Sequence, residues 1–124
     1  MRLQSFMQDT KLSEAVRAYL GAYESENRDV AERLLAANFT FTSPNDDGID
    51  RATYFERCWP RDEPSRDQKI EQILVEGNKA FVTYSCATGG GKSFRNTEYF
   101  TFSGEQISRV DVYFGPAYQD GVIV

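Results

Sequence analysis

One carboxylate in this sequence shares a strand face with aromatic side chains. In residues 93–102 the alternation of a β-strand puts Phe100 and Phe102 on one face, and the same parity puts Asn96 and Glu98 with them. Burial disfavours the charged form of a carboxyl group, and an unpaired buried charge is very costly. The pattern therefore predicts that Glu98 is protonated, hydrogen-bonded or at the mouth of a pocket. The alternative is that this strand bulges or lies at an end of the sheet, which would turn Glu98 to water.

The other reactive residue types are limited, because the chain contains no histidine. That excludes Ser-His-Asp, Cys-His and histidine-zinc chemistry. Cys58 and Cys86 lie in different kinds of segment and match no metal-binding spacing, so they are predicted to be reduced, buried thiols. Neither a metal nor a cofactor is predicted. Any reaction must rely on Asp, Glu, Tyr, Lys or Cys.

Composition indicates a single domain with a pocket for a small molecule. The 124 residues fit one hydrophobic core, and the 14% of aromatic residues supply rigid faces that can line a cavity. A net charge of -5 argues against nucleic-acid and anionic-membrane partners. The polar N-terminus does not resemble a signal peptide, and no apolar run is long enough to span a membrane, so we expect a cytoplasmic protein.

Three helices are predicted in the first half of the chain. Residues 1–9 are predicted to be a loose lead-in, and a domain of residues 10–124 follows. A helix is expected from Thr10, because apolar residues recur at helical spacing at Leu12, Val16, Tyr19, Leu20 and Tyr23. Asn27 is placed to cap a second helix, and Asp50 is placed to cap a third that runs to Trp59.

Strands dominate the remainder. A short strand at 39–43 ends at Pro44, and four more are expected at 68–76, 79–88, 93–102 and 106–114. Short glycine-bearing turns between these four predict antiparallel pairing. The fold class is therefore α+β, with a curved, mostly antiparallel sheet and the three helices packed on its concave face.

The two faces of the sheet have different predicted roles. Inward residues include Val82, Tyr84, Val110, Val112 and Phe114, and outward residues include Phe81, Tyr99, Ile107, Arg109, Asp111 and Tyr113. Large side chains on the outer face would be left in water, which predicts a homodimer formed through that face.

Four stretches, residues 15–19, 39–44, 98–104 and 113–115, carry a family resemblance when taken in order. Together they resemble the ketosteroid isomerase branch of the nuclear transport factor 2-like superfamily, with its SnoaL-like, polyketide-cyclase-like relatives. The resemblance covers most of the chain and implies a cone-shaped fold around one pocket.

The resemblance also implies a catalytic pair. In ketosteroid isomerases a tyrosine and a protonated carboxylic acid donate hydrogen bonds to the dienolate oxygen, and Tyr19 and Glu98 match these positions. We expect them to form a hydrogen-bonded pair. The family's basic aspartate is replaced by Ser43, whose hydroxyl is too weak a base to act unaided. Asp46 and Asp47 are weaker candidates, since acids in such a turn usually face solvent.

Two classes of function remain open from the sequence. The first is a pocket protein that binds an apolar, carbonyl-containing molecule, either as a binder or as an isomerase-like or cyclase-like catalyst of proton transfer. The second is a non-enzymatic dimeric interaction module. An epoxide-hydrolase-like activity is set aside, because only one inward carboxylate is predicted. The expected ligand-binding residues are Phe41, Tyr54, Trp59, Tyr84, Asn96, Phe100, Val112 and Phe114.

Overall fold

The computed structural model describes residues 2–59, 65–88 and 90–124. The helices are α1 (Arg2–Ser25), α2 (Arg28–Leu34) and α3 (Arg51–Cys58). The strands are β1 (Leu35–Ser43), β2 (Asp46–Asp50), β3 (Ser65–Glu76), β4 (Lys79–Thr88), β5 (Ser93–Ser103), β6 (Gln106–Phe114), β7 (Tyr118–Gln119) and β8 (Val122–Ile123).

The strands form one sheet with the order β2-β1-β6-β5-β4-β3. Strand β7 pairs with the first residue of β5, Ser93. Strands β3 to β6 pair antiparallel in chain order, as do β1 with β2 and β7 with β8, whereas β1 and β6, which the helices and the middle strands separate along the chain, pair parallel. The α+β prediction is confirmed. Helix α1 packs on β3 and β4, and α3 packs on β1 and β2, so the helices cover the face that becomes the core.

Local sequence explains the helix boundaries. The Asn27 side chain accepts a hydrogen bond from the Val30 N–H at the start of α2, and the Asp50 side chain accepts one from the Thr53 N–H at the start of α3. Both predicted caps are confirmed. Helix α1 differs from the prediction, since it begins at Arg2 rather than near Thr10. Residues 2–9 contain no glycine or proline, so nothing in their sequence stops the helix.

Strand β2 and the terminal hairpin were not predicted, and β1 and β3 begin earlier than predicted. Strand β2 pairs with β1 directly after the turn that contains Pro44, and the terminal hairpin β7–β8 follows the last predicted strand. Both are short, with two to five residues each. Alternation carries little signal over so few residues.

The core lies between the helices and the inner face of the sheet. Among the residues predicted to face inward or to line the pocket, Phe41, Tyr54, Trp59, Val82, Phe100 and Val112 are buried. Phe114 is the exception, with 42% of its surface exposed near the end of β6.

Ile107 was predicted to face outward, and this prediction is wrong. A bulge shifts the register between β5 and β6, so that Phe102 pairs with Ile107 whereas Thr101 pairs with Arg109. The extra residue turns Ile107 into the core, where it is fully buried. Asp111 does lie on the outer face as predicted, but it is buried there under Arg109, which donates to both of its carboxylate oxygens at 2.9 and 3.3 Å.

No helix in the described ranges has both the length and the apolar character that a membrane crossing requires.

Candidate functional site

A cavity of about 420 Å³ opens between α1, α3 and the inner face of the sheet. Its walls combine aromatic rings with a small number of polar groups, as is usual for small-molecule sites. The lining residues are Tyr19, Leu20, Tyr23, Phe41, Ser43, Asn45, Asp46, Tyr54, Arg57, Cys58, Tyr84, Asn96, Glu98, Val112 and Phe114.

Glu98 lies on β5 inside this cavity, with Val82 and Val112 as its neighbours on the adjacent strands. Its residue surface is only 5% exposed, so β5 does not bulge here and the inward prediction holds. Burial raises the pKa of Glu98 to about 7, although a hydrogen bond from Tyr84 acts in the opposite direction. The carboxyl group is therefore mostly neutral below pH 7.

Tyr84 and Asn96 support Glu98 from the neighbouring strand positions. They face each other across β4 and β5, and the Asn96 side-chain amide donates to the Tyr84 hydroxyl at 3.1 Å. The Tyr84 hydroxyl in turn donates to Glu98 Oε2. Burial first, and the nearby Glu98 second, raise the pKa of Tyr84. The phenol therefore stays protonated, and the chain of donors ends on Glu98.

A second hydroxyl pair lies on the helices. The Tyr19 hydroxyl on α1 is 2.5 Å from the Tyr54 hydroxyl on α3. Burial is the main reason that the pKa values of both phenols lie well above their ordinary value. The indole N–H of Trp59 lowers the pKa of Tyr54, in the direction opposite to burial. Trp59 Nε1 is buried and has no hydrogen-bond partner among the described residues.

The expected hydrogen bond between Tyr19 and Glu98 is wrong. Each has a different partner, Tyr54 for Tyr19 and Tyr84 for Glu98. The two residues nevertheless line the same cavity, and the charge on Glu98 would raise the pKa of Tyr19. Strand parity located Glu98 correctly, but it contains no information about which of several buried phenols is within reach.

A second carboxylate lines the cavity, contrary to the prediction of only one. The Asp46 side chain is 8% exposed, and its Oδ1 lies 3.0 Å from Arg57 Nη2. The Ser43 hydroxyl donates to Asp46 Oδ2 at 3.2 Å. Asp47, the adjacent acid, is exposed and does not line the cavity. The number of inward carboxylates therefore does not exclude an epoxide-hydrolase-like activity.

Cys58 is the thiol in the cavity. It is free and half-buried, and burial, with the charge of Asp46 as a second cause, raises its pKa to about 11. A thiol with this pKa is protonated at neutral pH and is a poor nucleophile. Cys58 therefore contributes shape rather than covalent chemistry.

Most of the expected ligand-binding residues line the cavity, and two do not. Trp59 and Phe100 are buried in the core behind it, where Phe100 packs edge-on against Tyr19 with 5.4 Å between ring centroids. Arg57 and Cys58 line the cavity and were missed by the sequence analysis. Helical spacing was the available signal, since positions three and four after Tyr54 share its helix face.

The arrangement is suited to a ligand with an apolar body and one or more oxygen atoms. Its neutral carboxyl group and its protonated phenols can donate hydrogen bonds, and its Asp46 carboxylate can accept a proton. Within the described residues, no group of three or more His, Cys, Asp or Glu side chains is arranged to hold a metal ion.

Comparisons with known proteins agree with this architecture. A family model described as a SnoaL-like domain matches residues 16–110. No curated protein is similar enough in sequence to count as a match.

Several solved structures share the fold at low sequence identity. A candidate ketosteroid isomerase from Kribbella flavida is 20% identical, with a TM-score of 0.74 over 90% of this chain and 82% of that one. An LEH-like epoxide hydrolase from M. tuberculosis is 22% identical, with a TM-score of 0.73 over 87% and 85%. A candidate polyketide cyclase from Xanthomonas campestris is 18% identical, with a TM-score of 0.68 over 86% and 92%. At these identities the likeness establishes the fold and not the activity.

Proposed function

This chain belongs to the SnoaL-like domain family, and on that premise we propose that it binds an apolar carbonyl compound in the cavity and moves a proton on the carbon next to the carbonyl. The product would be an isomer or a cyclised form of the substrate. The observation that carries the proposal is a buried carboxyl group, Glu98, whose pKa is raised to about 7 inside an aromatic cavity.

The donors support recognition of a carbonyl oxygen. Removing a proton next to a carbonyl group places negative charge on its oxygen, and preorganised donors in a dry site stabilise that charge. Glu98 in its neutral form and the Tyr19 hydroxyl can both serve as such donors. Tyr84 and Tyr54 would hold these two groups in place through the hydrogen bonds described above.

The apolar walls support the rest of the ligand. Phe41, Tyr54 and Val112 provide a surface for a hydrocarbon frame, and the cavity volume of about 420 Å³ lies in the range typical of small-molecule pockets. We therefore propose a compact, mostly apolar ring compound as the substrate class.

Binding of 2-naphthol and naphthalene tests the recognition of oxygen. The two molecules share a frame and differ in one hydroxyl group, and 2-naphthol resembles the enol of the ketone 2-tetralone. We expect 2-naphthol to bind at least about tenfold more tightly by calorimetry, which is roughly the free energy of one well-formed hydrogen bond between neutral groups. Glu98→Leu and Tyr19→Phe should each reduce that preference. Equal affinities for the two molecules in the unsubstituted protein would contradict the proposal.

The alternative function is a non-enzymatic dimeric interaction module. It is favoured by exposed apolar residues on the outer face of the sheet, where Leu74 is 59% exposed, Phe81 45% and Tyr113 60%. We propose that a second copy of the chain covers this face. Dimerisation is compatible with either function, because the cavity opens on the opposite side of the sheet from these residues.

A further inference from the structure

We propose that Asp46 is the base that takes the carbon-bound proton. The position of the family's basic aspartate is occupied here by Ser43. This inference rests on the proposed function. It concerns the first residue of β2, directly after a turn, where acids usually face solvent. Three observations on the first β-hairpin and α3 argue that this acid does not.

The hairpin between β1 and β2 directs Asp46 inward. A bulge shifts the pairing between Phe41 and Ser43, and Ser43 becomes the cross-strand partner of Asp46 at the closed end of the hairpin. The Asp46 side chain is 8% exposed and lines the cavity, whereas Asp47 alternates to the outside and is exposed. The two adjacent acids therefore occupy opposite environments.

Ser43 holds the Asp46 carboxylate rather than acting on a substrate. The Asn45 backbone N–H donates to Ser43 Oγ at 3.1 Å, which leaves the serine proton free to point at Asp46 Oδ2 at 3.2 Å. This interaction gives Ser43 a positioning role that a hydroxyl can fulfil, although the hydroxyl is too weakly basic to take the proton itself.

Arg57 fixes the other oxygen. Its Nη2 atom lies 3.0 Å from Asp46 Oδ1, which is fully buried and makes no aligned hydrogen bond with any described residue. The contact is therefore an ion pair that anchors the carboxylate from the side of α3. Because Oδ1 is buried against Arg57, we assign the base function to Oδ2.

The proton transfer balances without a further reactant. The bond between hydrogen and the carbon next to the carbonyl breaks, and the proton passes to Asp46 Oδ2. The electron pair forms a carbon-carbon double bond, and the carbonyl becomes an enolate whose oxygen accepts hydrogen bonds from Glu98 and Tyr19. Return of the proton from Asp46 to another carbon completes an isomerisation and restores the carboxylate.

Deuterium exchange of 2-tetralone in D₂O tests this assignment. Proton NMR follows the loss of the hydrogens next to the carbonyl, and 2-naphthol binding is measured on the same samples as a control for folding and for the cavity. We expect Asp46→Ala to lower protein-catalysed exchange about 10²- to 10⁴-fold, the usual contribution of a general base. The affinity for 2-naphthol should change by less than about threefold, since the substitution removes only one contact that contributes little binding free energy.

Two further measurements separate a catalytic role from a structural one. Asp47→Ala, in the adjacent exposed acid, should exchange 2-tetralone at the unsubstituted rate. Formate added to Asp46→Ala should restore exchange in proportion to its concentration, because a small carboxylate can occupy the vacated space. A folding defect would not respond to formate.

The outcomes distinguish this inference from the function on which it depends. If Asp46→Ala exchanges 2-tetralone at the unsubstituted rate while 2-naphthol still binds, Asp46 is not the base and the proposed function stands. If the unsubstituted protein neither binds 2-naphthol nor exchanges 2-tetralone, the proposed function fails, and the assignment of Asp46 fails with it. Loss of exchange in Asp46→Ala with formate rescue supports both.

Discussion

Glu98 is held in its neutral form by its surroundings rather than by a charged partner. Apolar neighbours on both adjacent strands exclude water from it, and its hydrogen-bond partner is a phenol. Desolvation therefore outweighs the hydrogen bond, and the pKa of Glu98 rises from 4.5 to about 7. Ionisation of Glu98 therefore destabilises the folded state, and folding stability depends on pH.

Folding stability should fall as the pH rises from about 4.5 to about 7. In this window the folded protein keeps the Glu98 proton, because its pKa is raised, whereas the unfolded chain has released it. The contribution of the Glu98 proton to folding stability is fully present below the pKa of Glu98 in the unfolded chain, and it is lost above the pKa of Glu98 in the folded protein. The difference amounts to roughly 3 kcal/mol in total, from the free energy that corresponds to one pKa unit.

Glu98→Gln should remove this dependence, because the amide keeps the shape and cannot ionise. The variant should gain stability relative to the unsubstituted protein between pH 5 and pH 8, and it should be neutral or stabilising at pH 8. Urea unfolding at the two pH values measures the difference. Glu76→Gln, at an exposed strand end, is the matched control and should show no such gain. A loss of several kcal/mol in Glu98→Gln at pH 8 would instead indicate a buried charge pair.

Helix α3 is the element on which the site depends most. It has only eight residues, yet Tyr54, Arg57 and Cys58 all reach the cavity from one of its faces. A helix this short is marginal on its own and needs its cap and its packing. Asp50 provides that cap by accepting a hydrogen bond from the Thr53 N–H. The Thr53 side chain first, and the Thr53 N–H second, lower the pKa of Asp50.

Asp50→Ala should therefore lower the melting temperature by a few degrees and weaken 2-naphthol binding, because the first turn of α3 loses its acceptor. Asp50→Ser, which keeps a capping oxygen, should retain most of the melting temperature and most of the 2-naphthol binding.

A lowered pKa means that the Asp50 carboxylate stabilises the folded protein above its unfolded pKa and that this stabilisation is lost as the pH falls through the folded value. The difference in melting temperature between Asp50→Ala and the unsubstituted protein should therefore become smaller at acidic pH. Calorimetric scans at pH 7 and pH 3 measure it, and an equal gap at both would contradict the assignment of Asp50 as the cap.

Sequence patterns predicted the elements better than the contacts between them. The caps at Asn27 and Asp50 and the bounds of β4 and β6 follow from local rules, since capping and alternation are properties of neighbouring residues. The burial of Ile107 and Asp46 does not follow from them, because each depends on a bulge in the pairing of two strands. The hydroxyl pair of Tyr19 and Tyr54 joins residues 35 positions apart, which no local pattern encodes.

At the scale of the whole molecule, the sheet has one covered face and one open face. The helices cover the inner face, whereas the outer face carries a row in which Leu74 pairs with Phe81 and Phe81 pairs with Tyr99. The rings of Phe81 and Tyr99 stack with 4.3 Å between centroids, and Lys79 Nζ lies 5.5 Å from the Tyr99 ring. Such a rigid aromatic surface with charged residues at its margin is typical of protein interfaces.

A second copy of the chain should cover this row, and Phe81→Glu should prevent it from doing so. A stable interface buries about 800 Å² on each partner, and a contiguous apolar patch on a twisted sheet can supply an area of that order through a two-fold axis. The introduced carboxylates would face each other near such an axis, where their desolvation and repulsion oppose association. Light scattering at micromolar protein should give twice the chain mass for the unsubstituted protein and the mass of one chain for Phe81→Glu. Phe6→Glu, at a more exposed phenylalanine on α1, should remain dimeric, and a single-chain mass for the unsubstituted protein would overturn the dimer.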